Sequence, residues 1–365
     1  MFILVKPEKD KRGIVIFNHK EVLRGQNFGA VEKHKDRWII GFNNGGWLGG
    51  HSKKIKDKYN HIFDFYISPI KIIDHSKCIP FCGSSFINRE FCIRKEPISQ
   101  LLSKISNRKI VNFVSSLHFT SRRVIDLIVL GRFLPTKNIP QLIDLLYEIR
   151  NKVKINILIN SFSKTPINSK LKMKIEELNK KPNIFCNVYT DFTSDNLLKE
   201  PEVINLLNIS KFGYNNNKQE GNCRLIQECM LCGCVPVINK NMIGGLKEHY
   251  FKWNTVDWSI FKRNLENNDF NQFYNKNYNI DKIVNYSKIN FNEKYTIDNL
   301  KNYLNKKFNT NFRYYDTENL AKKLPSHMVQ NTLRRYFSTN SISFEFYNPD
   351  TISKALKHCD LFNIY

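Results

Sequence analysis

Two carboxylates eight positions apart, Glu220 and Glu228, are the residues of this chain whose spacing most directly implies chemistry. The stretch reads Glu220-Gly221-Asn222-Cys223-Arg224-Leu225-Ile226-Gln227-Glu228, a glycine-containing loop that passes into an apolar helix. Eight steps of about 100° nearly return to the starting direction, so both acids can face one side. Glu220 then stands at the mouth of the helix and Glu228 lies about two turns in. A helix start offers unpaired N–H groups and the positive end of a dipole, which suits a diphosphate. A carboxylate there can accept hydrogen bonds from sugar or ribose hydroxyls. The dipole alone also favours a glutamate near a helix start, and a second glutamate can simply be solvated. The pair therefore takes its meaning from its flanks.

The elements that must position these residues follow a strand–helix rhythm. Val124 to Leu130 reads as a buried strand, and Asn138 to Val153 carries Ile139, Leu142, Ile143, Leu145, Leu146 and Ile149 at helical spacing. Lys154 to Ile159 is a second strand and Ser169 to Lys180 an amphipathic helix with Pro166 and Ser169 as start signals. Asn183 to Tyr189 is a third strand, Glu202 to Ile209 a short helix, and Lys211 to Tyr214 a short strand. Cys223 to Cys232 then forms a helix closed by Gly233, and Cys234 to Ile238 a further strand. Such alternation implies a parallel sheet covered on both faces, with the ligand beyond the carboxyl ends of the strands. The first third holds short strand-like runs at Met1–Val5, Gly13–Phe17, Arg37–Phe42 and Ile62–Ile67. The region 286–365 reads as helical, at 295–307, 317–323, 328–336 and 351–358.

The block from Glu220-Gly221 through Glu228, continued by Cys229-Met230-Leu231-Cys232-Gly233-Cys234-Val235-Pro236-Val237-Ile238, resembles the "EG…E-A-M-A-x-G-x-P-V-I" signature of family 4 glycosyltransferases of the GT-B fold. Gly244-Gly245-Leu246-Lys247-Glu248 resembles the family's "G-G-x-x-E" loop, and Gly131-Arg132-Phe133-Leu134-Pro135-Thr136-Lys137-Asn138 its "G-R-L-x-P-x-K-G". Ile79-Pro80-Phe81-Cys82-Gly83, with Phe86 and Phe91, faintly resembles the hinge segment between its domains. The resemblance runs over residues 79 to 250. It implies an α/β chain of two facing Rossmann-like domains: a short acceptor-side domain over 1–108, a nucleotide-sugar-binding domain over 109–285, and a mainly helical extension over 286–365.

Residue by residue, the resemblance implies that Arg132 and Lys137 bind the donor diphosphate and support the departing phosphate. Fixed cations at a strand end would stabilise negative charge as it develops there. Glu220 matches the glutamate that contacts the donor sugar and Glu228 the one that holds the ribose. Gly131 and the backbone of Gly221, Asn222 and Cys223 would add donor contacts. The implied activity is retaining transfer of a sugar from a nucleotide-sugar co-substrate to a glycan, sugar or glycolipid, with no cofactor and no divalent metal. Departures are Asn222-Cys223 where the family has Phe-Gly, and Asn138 where it has glycine; asparagine tolerates the left-handed conformation. The N-terminal half departs most. Gly45-Gly46-Trp47-Leu48-Gly49-Gly50-His51 could serve near the site or form plain turns. The family's N-terminal histidine near the donor sugar has candidates in His51, His19 and His118, of which His51 is preferred.

Composition bounds the alternatives. With 41% hydrophobic and 13% aromatic residues the chain can bury two cores, which excludes wholesale disorder. Its apolar runs are too short to cross a bilayer, and its start reads as a strand rather than a secretory leader. Nine scattered cysteines fit a reducing cytoplasm, and Cys229, Cys232 and Cys234 read as small core residues rather than zinc ligands. The formal charge of +24 is compatible with contact to the anionic inner face of a membrane, with nucleic-acid binding, or with a mere Lys, Asn and Ile bias. No zinc-finger spacing or RNP-like aromatic motif accompanies it, so no nucleic acid is expected. A chain that keeps the fold and binds nucleotide sugars without catalysis remains the alternative reading.

Overall fold

The structure is a computed structural model of the 365-residue chain, and it describes residues 2–5, 14–18, 38–42, 64–68, 78–80, 91–118, 121–191, 193, 196–220, 224–244, 255–269, 280–290, 302 and 306. The chain divides into two compact units. The first comprises 1–86, 244–246 and 291–365, and the second 87–243 and 247–290.

The first unit contains a sheet in the order β1 (Phe2–Val5), β2 (Ile14–Asn18), β3 (Trp38–Phe42), β4 (Phe65–Ser68) and β5 (Cys78–Pro80). β1 runs antiparallel to β2 and every other pair is parallel. These are short β-branched and aromatic runs, as strands require. The segment expected to resemble a hinge, Ile79 to Gly83, has its first two residues in β5, where Ile79 pairs with Ile67 and Pro80 with Ser68, and the rest lies outside the described residues. β5 lies at an edge, where a proline leaves no ladder partner wanting its missing N–H. The helices expected at 317–323, 328–336 and 351–358 lie outside the described residues, as does all of 295–307 except helical residues 302 and 306.

The second unit is a six-stranded, wholly parallel sheet. Two short helices, α1 (Ile98–Ser103) and α2 (Arg108–Ser116), precede it. Then follow β6 (Ile125–Arg132), α3 (Ile139–Ile149), β7 (Ile157–Phe162), α4 (Ser169–Asn179), β8 (Ile184–Tyr189), α5 (Glu200–Asn208) and β9 (Ser210–Asn215). β10 (Gln219–Glu220), α6 (Arg224–Leu231), β11 (Val235–Asn239), β12 (Ile243–Gly244, of which only Ile243 is grouped with this unit), β13 (Thr255–Val256), α7 (Trp258–Asn267) and α8 (Ile280–Asn290) complete it. β10 and β12 pair with each other, apart from the main sheet.

Strand order is β13-β11-β9-β6-β7-β8. From β6 the chain first adds β7 and β8 on one side, then returns to add β9, β11 and β13 on the other. The direction reverses between β6 and β9, and in an open parallel sheet the loops leaving such strands diverge and open a crevice. Arg132 ends β6 and Lys137 lies in the turn that follows it, while Glu220 and Glu228 lie in β10 and α6, which follow β9.

Period-2 alternation sends one set of strand residues to each face. Leu127, Val129, Ile157, Ile159, Phe212, Tyr214, Val235 and Val237 form one face of the core together with the apolar stripe of α3 and with Phe261 and Leu265 of α7. The six α3 residues read from helical spacing are all buried. On the opposite face Gly213 has no side chain because α6 passes too close: a Cβ there would stand 2.4 Å from Cys229 Sγ.

Residues 87–108, assigned from sequence to the first domain, group with the second unit. Buried Glu202 accepts hydrogen bonds from Ser106 N at 2.5 Å and Ser106 Oγ at 2.6 Å. Asn205 Nδ2 donates to Leu101 O at 3.2 Å, and Asn208 Nδ2 to Cys92 O at 3.0 Å. These polar side chains sit among apolar residues, and their partners in 92–106 satisfy them.

Candidate donor site

β6 ends at Gly131-Arg132. Gly131 has φ +128°, a conformation L side chains rarely adopt, and among the described residues nothing approaches within 4 Å of where a Cβ would be. Its carbonyl accepts from Ser161 Oγ at 2.9 Å, and Phe133 N donates to Phe162 O at 2.6 Å, so the strand end is fixed to β7. A 3₁₀ turn at Pro135–Lys137 follows, and Asn138 takes the left-handed conformation with φ 54° before α3 begins. Asparagine at the place of the resembled glycine thus adopts the backbone geometry that the glycine would supply.

The loop after β9 is stitched to this turn. Asn138 Nδ2 donates to Asn216 O at 2.7 Å, Lys218 N to Thr136 O at 2.7 Å, and Tyr214 Oη to Asn138 O at 3.0 Å. Tyr214, Asn138 and Asn216 are buried, so the two bonds of Asn138 lie away from competing water, and with the Lys218 bond at the exposed edge they hold the two loops in register. Glu220 begins only two residues beyond Lys218.

Beyond the strand ends lies a cavity of 430 Å³. Its apolar wall is Phe91, Leu130, Leu198, Val203 and Leu225, its floor includes Gly131, and its polar side is Glu200, Arg224 and Glu228. α5 and α6 both begin here, at Glu200 and Arg224, with their amino ends and positive dipole ends at the cavity. Arg224 Nε stands 3.1 Å from Glu228 Oε1, a terminal nitrogen of Arg224 also lies 3.1 Å from that oxygen, and the same nitrogen is 3.6 Å from Glu200 Oε2. The Glu228 side chain is 12% exposed, against 37% for Arg224 and 29% for Glu200. A carboxylate so buried requires a cation or donors beside it, and Arg224 supplies them.

The structure therefore brings Gly131 and Glu228 into one cavity. Arg132 is exposed at the adjoining strand end and Lys137 half-buried in the following turn, and neither belongs to the lining of the cavity. The backbone of Glu220 lies in β10, while its side chain lies outside the described residues. Gly221, Asn222, Cys223, His51 and His19 lie outside them too, as does the 45–50 glycine run. His118 is exposed just beyond α2. Sequence reasoning missed Arg224 and Glu200. The signal was present for Arg224, a cation placed four residues before an acid on one helix. Glu200 comes from a separate segment and carried none.

Cys229, Cys232 and Cys234 are buried free thiols, and among the described residues no group of three or more His, Cys, Asp or Glu could hold a metal ion. Burial pushes the Cys229 and Cys232 thiols well up, which favours the neutral form rather than a thiolate ligand. Among the described residues no helix is long and apolar enough to cross a membrane.

Neither a protein-family model nor a curated protein matches the sequence. Solved structures do match in fold. Anabaena Alr3699/HepE in complex with UDP aligns with a TM-score of 0.55 and 13% identity over 80% of this chain and 78% of that one. The same Anabaena protein with UDP and glucose aligns with a TM-score of 0.52 at 13% identity, over 80% and 78% of the two chains. A glycosyltransferase from Rickettsia africae ESF-5 aligns with a TM-score of 0.50 and 13% identity over 81% and 76%. The chain has the α/β, GT-B fold of these proteins.

Proposed function

We propose that this chain is a glycosyltransferase that takes a sugar from a nucleotide-sugar donor held by its second unit. The observation that carries the reading is the cavity at the β6/β9 reversal, where Gly131, a buried carboxylate and two helix amino ends meet. Its fold is that of proteins whose structures hold UDP, or UDP and glucose, which supports the same ligand class here.

In this mechanism Glu228 accepts hydrogen bonds from the ribose hydroxyls and Glu220 contacts the donor sugar. Arg132 at the end of β6 and Lys137 on the turn that the Asn216 and Lys218 bonds hold in place meet the diphosphate. Breaking the glycosyl–phosphate bond leaves negative charge on the diphosphate, and prepositioned cations stabilise it as it forms without requiring a divalent metal. The departing phosphate takes the proton of the incoming hydroxyl on the same face, which retains configuration. The acceptor is a glycan or glycolipid. The formal charge of +24 supports approach to an anionic lipid surface that would present a glycolipid.

The test is a thermal-shift screen of nucleotide sugars, followed by a transfer assay in chelator with the donor that stabilises the chain. Glu220→Ala is expected to lower transfer at least about a hundredfold while the melting temperature without ligand stays near that of the wild type. Unchanged transfer by that variant removes Glu220 from the mechanism. Donor binding with no turnover under any acceptor makes the chain a binding protein instead.

A further inference from the structure

Arg224 is the first residue of α6, where the positive end of the helix dipole disfavours a cation. A residue that breaks a local rule calls for a compensating gain, and two carboxylates from different helices provide it. Glu228 lies on α6 itself, while Glu200 opens α5. Both are engaged by the same guanidinium, at 3.1 and 3.6 Å, and all three side chains line the 430 Å³ cavity. The fork therefore fixes the separation of two acids that would otherwise repel. Among the described side chains that line the cavity, two are negative and one positive, and the apolar ones opposite them carry no hydrogen-bonding group. Carboxylates so placed accept from a ring that presents neighbouring hydroxyl donors.

We propose that Arg224 is a positioning residue of the donor site, holding Glu200 and Glu228 as paired acceptors for the vicinal hydroxyls of a ribose in this cavity. The proposal rests on reading the cavity as the nucleoside end of the donor site. It assigns recognition of the ribose diol to three residues, of which only Glu228 stands out by its place in the sequence motif.

The experiment is calorimetric titration of the full chain with UDP, GDP and ADP and with their 2′-deoxy forms. The wild-type chain binds at least one ribonucleotide, and binds it more tightly than its deoxy form. R224L loses about tenfold of that preference, as expected when one charge-assisted bond to a hydroxyl is misaligned, while affinity for the deoxy form changes little. R224K recovers part of the preference, since an ammonium restores the charge without the planar fork. A merely structural role for Arg224 would weaken both forms together and leave their ratio at the wild-type value, which overturns the proposal. Should R224L not fold, E200Q reads the same ratio, and an unchanged ratio there overturns it equally. A wild-type chain that binds none of the nucleoside diphosphates overturns the reading of the site itself, and this proposal with it.

Discussion

Arg123 stands behind the site rather than in it, just before β6, and replacing it with methionine tests how the helices that frame the cavity are held. One terminal nitrogen donates to Leu207 O at 3.0 Å and Ser210 O at 2.5 Å, and the other to Cys232 O at 2.8 Å. Leu207 is in the last turn of α5, Ser210 opens β9, and Cys232 follows the last residue of α6. One guanidinium thus closes the carboxyl ends of the two helices whose amino ends reach the cavity, and it also favours their negative dipole ends. Methionine keeps the apolar stem but leaves three carbonyls without their donor. Hydrogen bonds to a charged group contribute about 1.5 kcal/mol each or more. Because Arg123 is only half-buried, about 1 kcal/mol each is the fairer figure, or about 3 kcal/mol in total. Native-state hydrogen–deuterium exchange reads this locally: amides of α5, α6 and β9 in Arg123→Met should exchange roughly a hundredfold faster, since about 1.4 kcal/mol is a factor of ten. Nucleotide affinity should fall in parallel. Exchange within about threefold of wild type in these three elements would show that water replaces the guanidinium at little cost, and would refute the reasoning.

Other outcomes follow from the packing. Gly213→Ala places a Cβ 2.4 Å from Cys229 Sγ in a strand interior and should cost about 1–3 kcal/mol in urea unfolding. The double variant with Cys229→Ala should recover part of that loss, and strictly additive losses would contradict the contact. Burial pushes the Cys186 thiol up to about 12 from 9.0, so the folded state favours the neutral thiol. Below pH 9 both states are protonated and that contribution is present in full. As pH rises from 9 towards 12 only the unfolded chain ionises, and stability should fall by about 1.4 kcal/mol per pH unit for this group. Urea midpoints measured from pH 8 to 10.5 should therefore drop less steeply in Cys186→Ala, and parallel slopes would count against burial as the cause.

Several parts of the fold were legible from residue order because they depend on short-range geometry. The six apolar positions of α3 recur at helical spacing, and all six are buried. The strand expected over Asn183–Tyr189 is β8, one residue shorter, and the helix expected over Ser169–Lys180 is α4. Its start signal was misplaced: Asn168 caps it, accepting from Leu171 N at 2.8 Å, because an amide side chain in extended backbone reaches the free N–H groups that Pro166 and Ser169 do not. In the site, Gly131 and Glu228 were legible because each opens or closes a local pattern. The hinge-like segment expected at 79–83 begins in β5, whose parallel partner in β4 no local pattern announces, and its remaining residues lie outside the described ones. The boundary expected after residue 108 likewise missed the bonds from Glu202, Asn205 and Asn208 to a segment about a hundred positions earlier.

What residue order determined by itself was the alternation of elements, a residue at Asn138 that tolerates the left-handed turn, and the place of Glu228 within a helix. All of these follow from the fixed periods of helix and strand and from the steric limits on φ. Only the tertiary structure decided that β6 lies between β7 and β9, and so where the crevice opens. It alone joined Thr136 to Lys218 and brought Glu200 to Arg224. Strand order arises from how whole crossover units pack, and a guanidinium fork arises where two helices begin side by side. Both are sums of many distant contacts, and no single stretch of chain carries their signature.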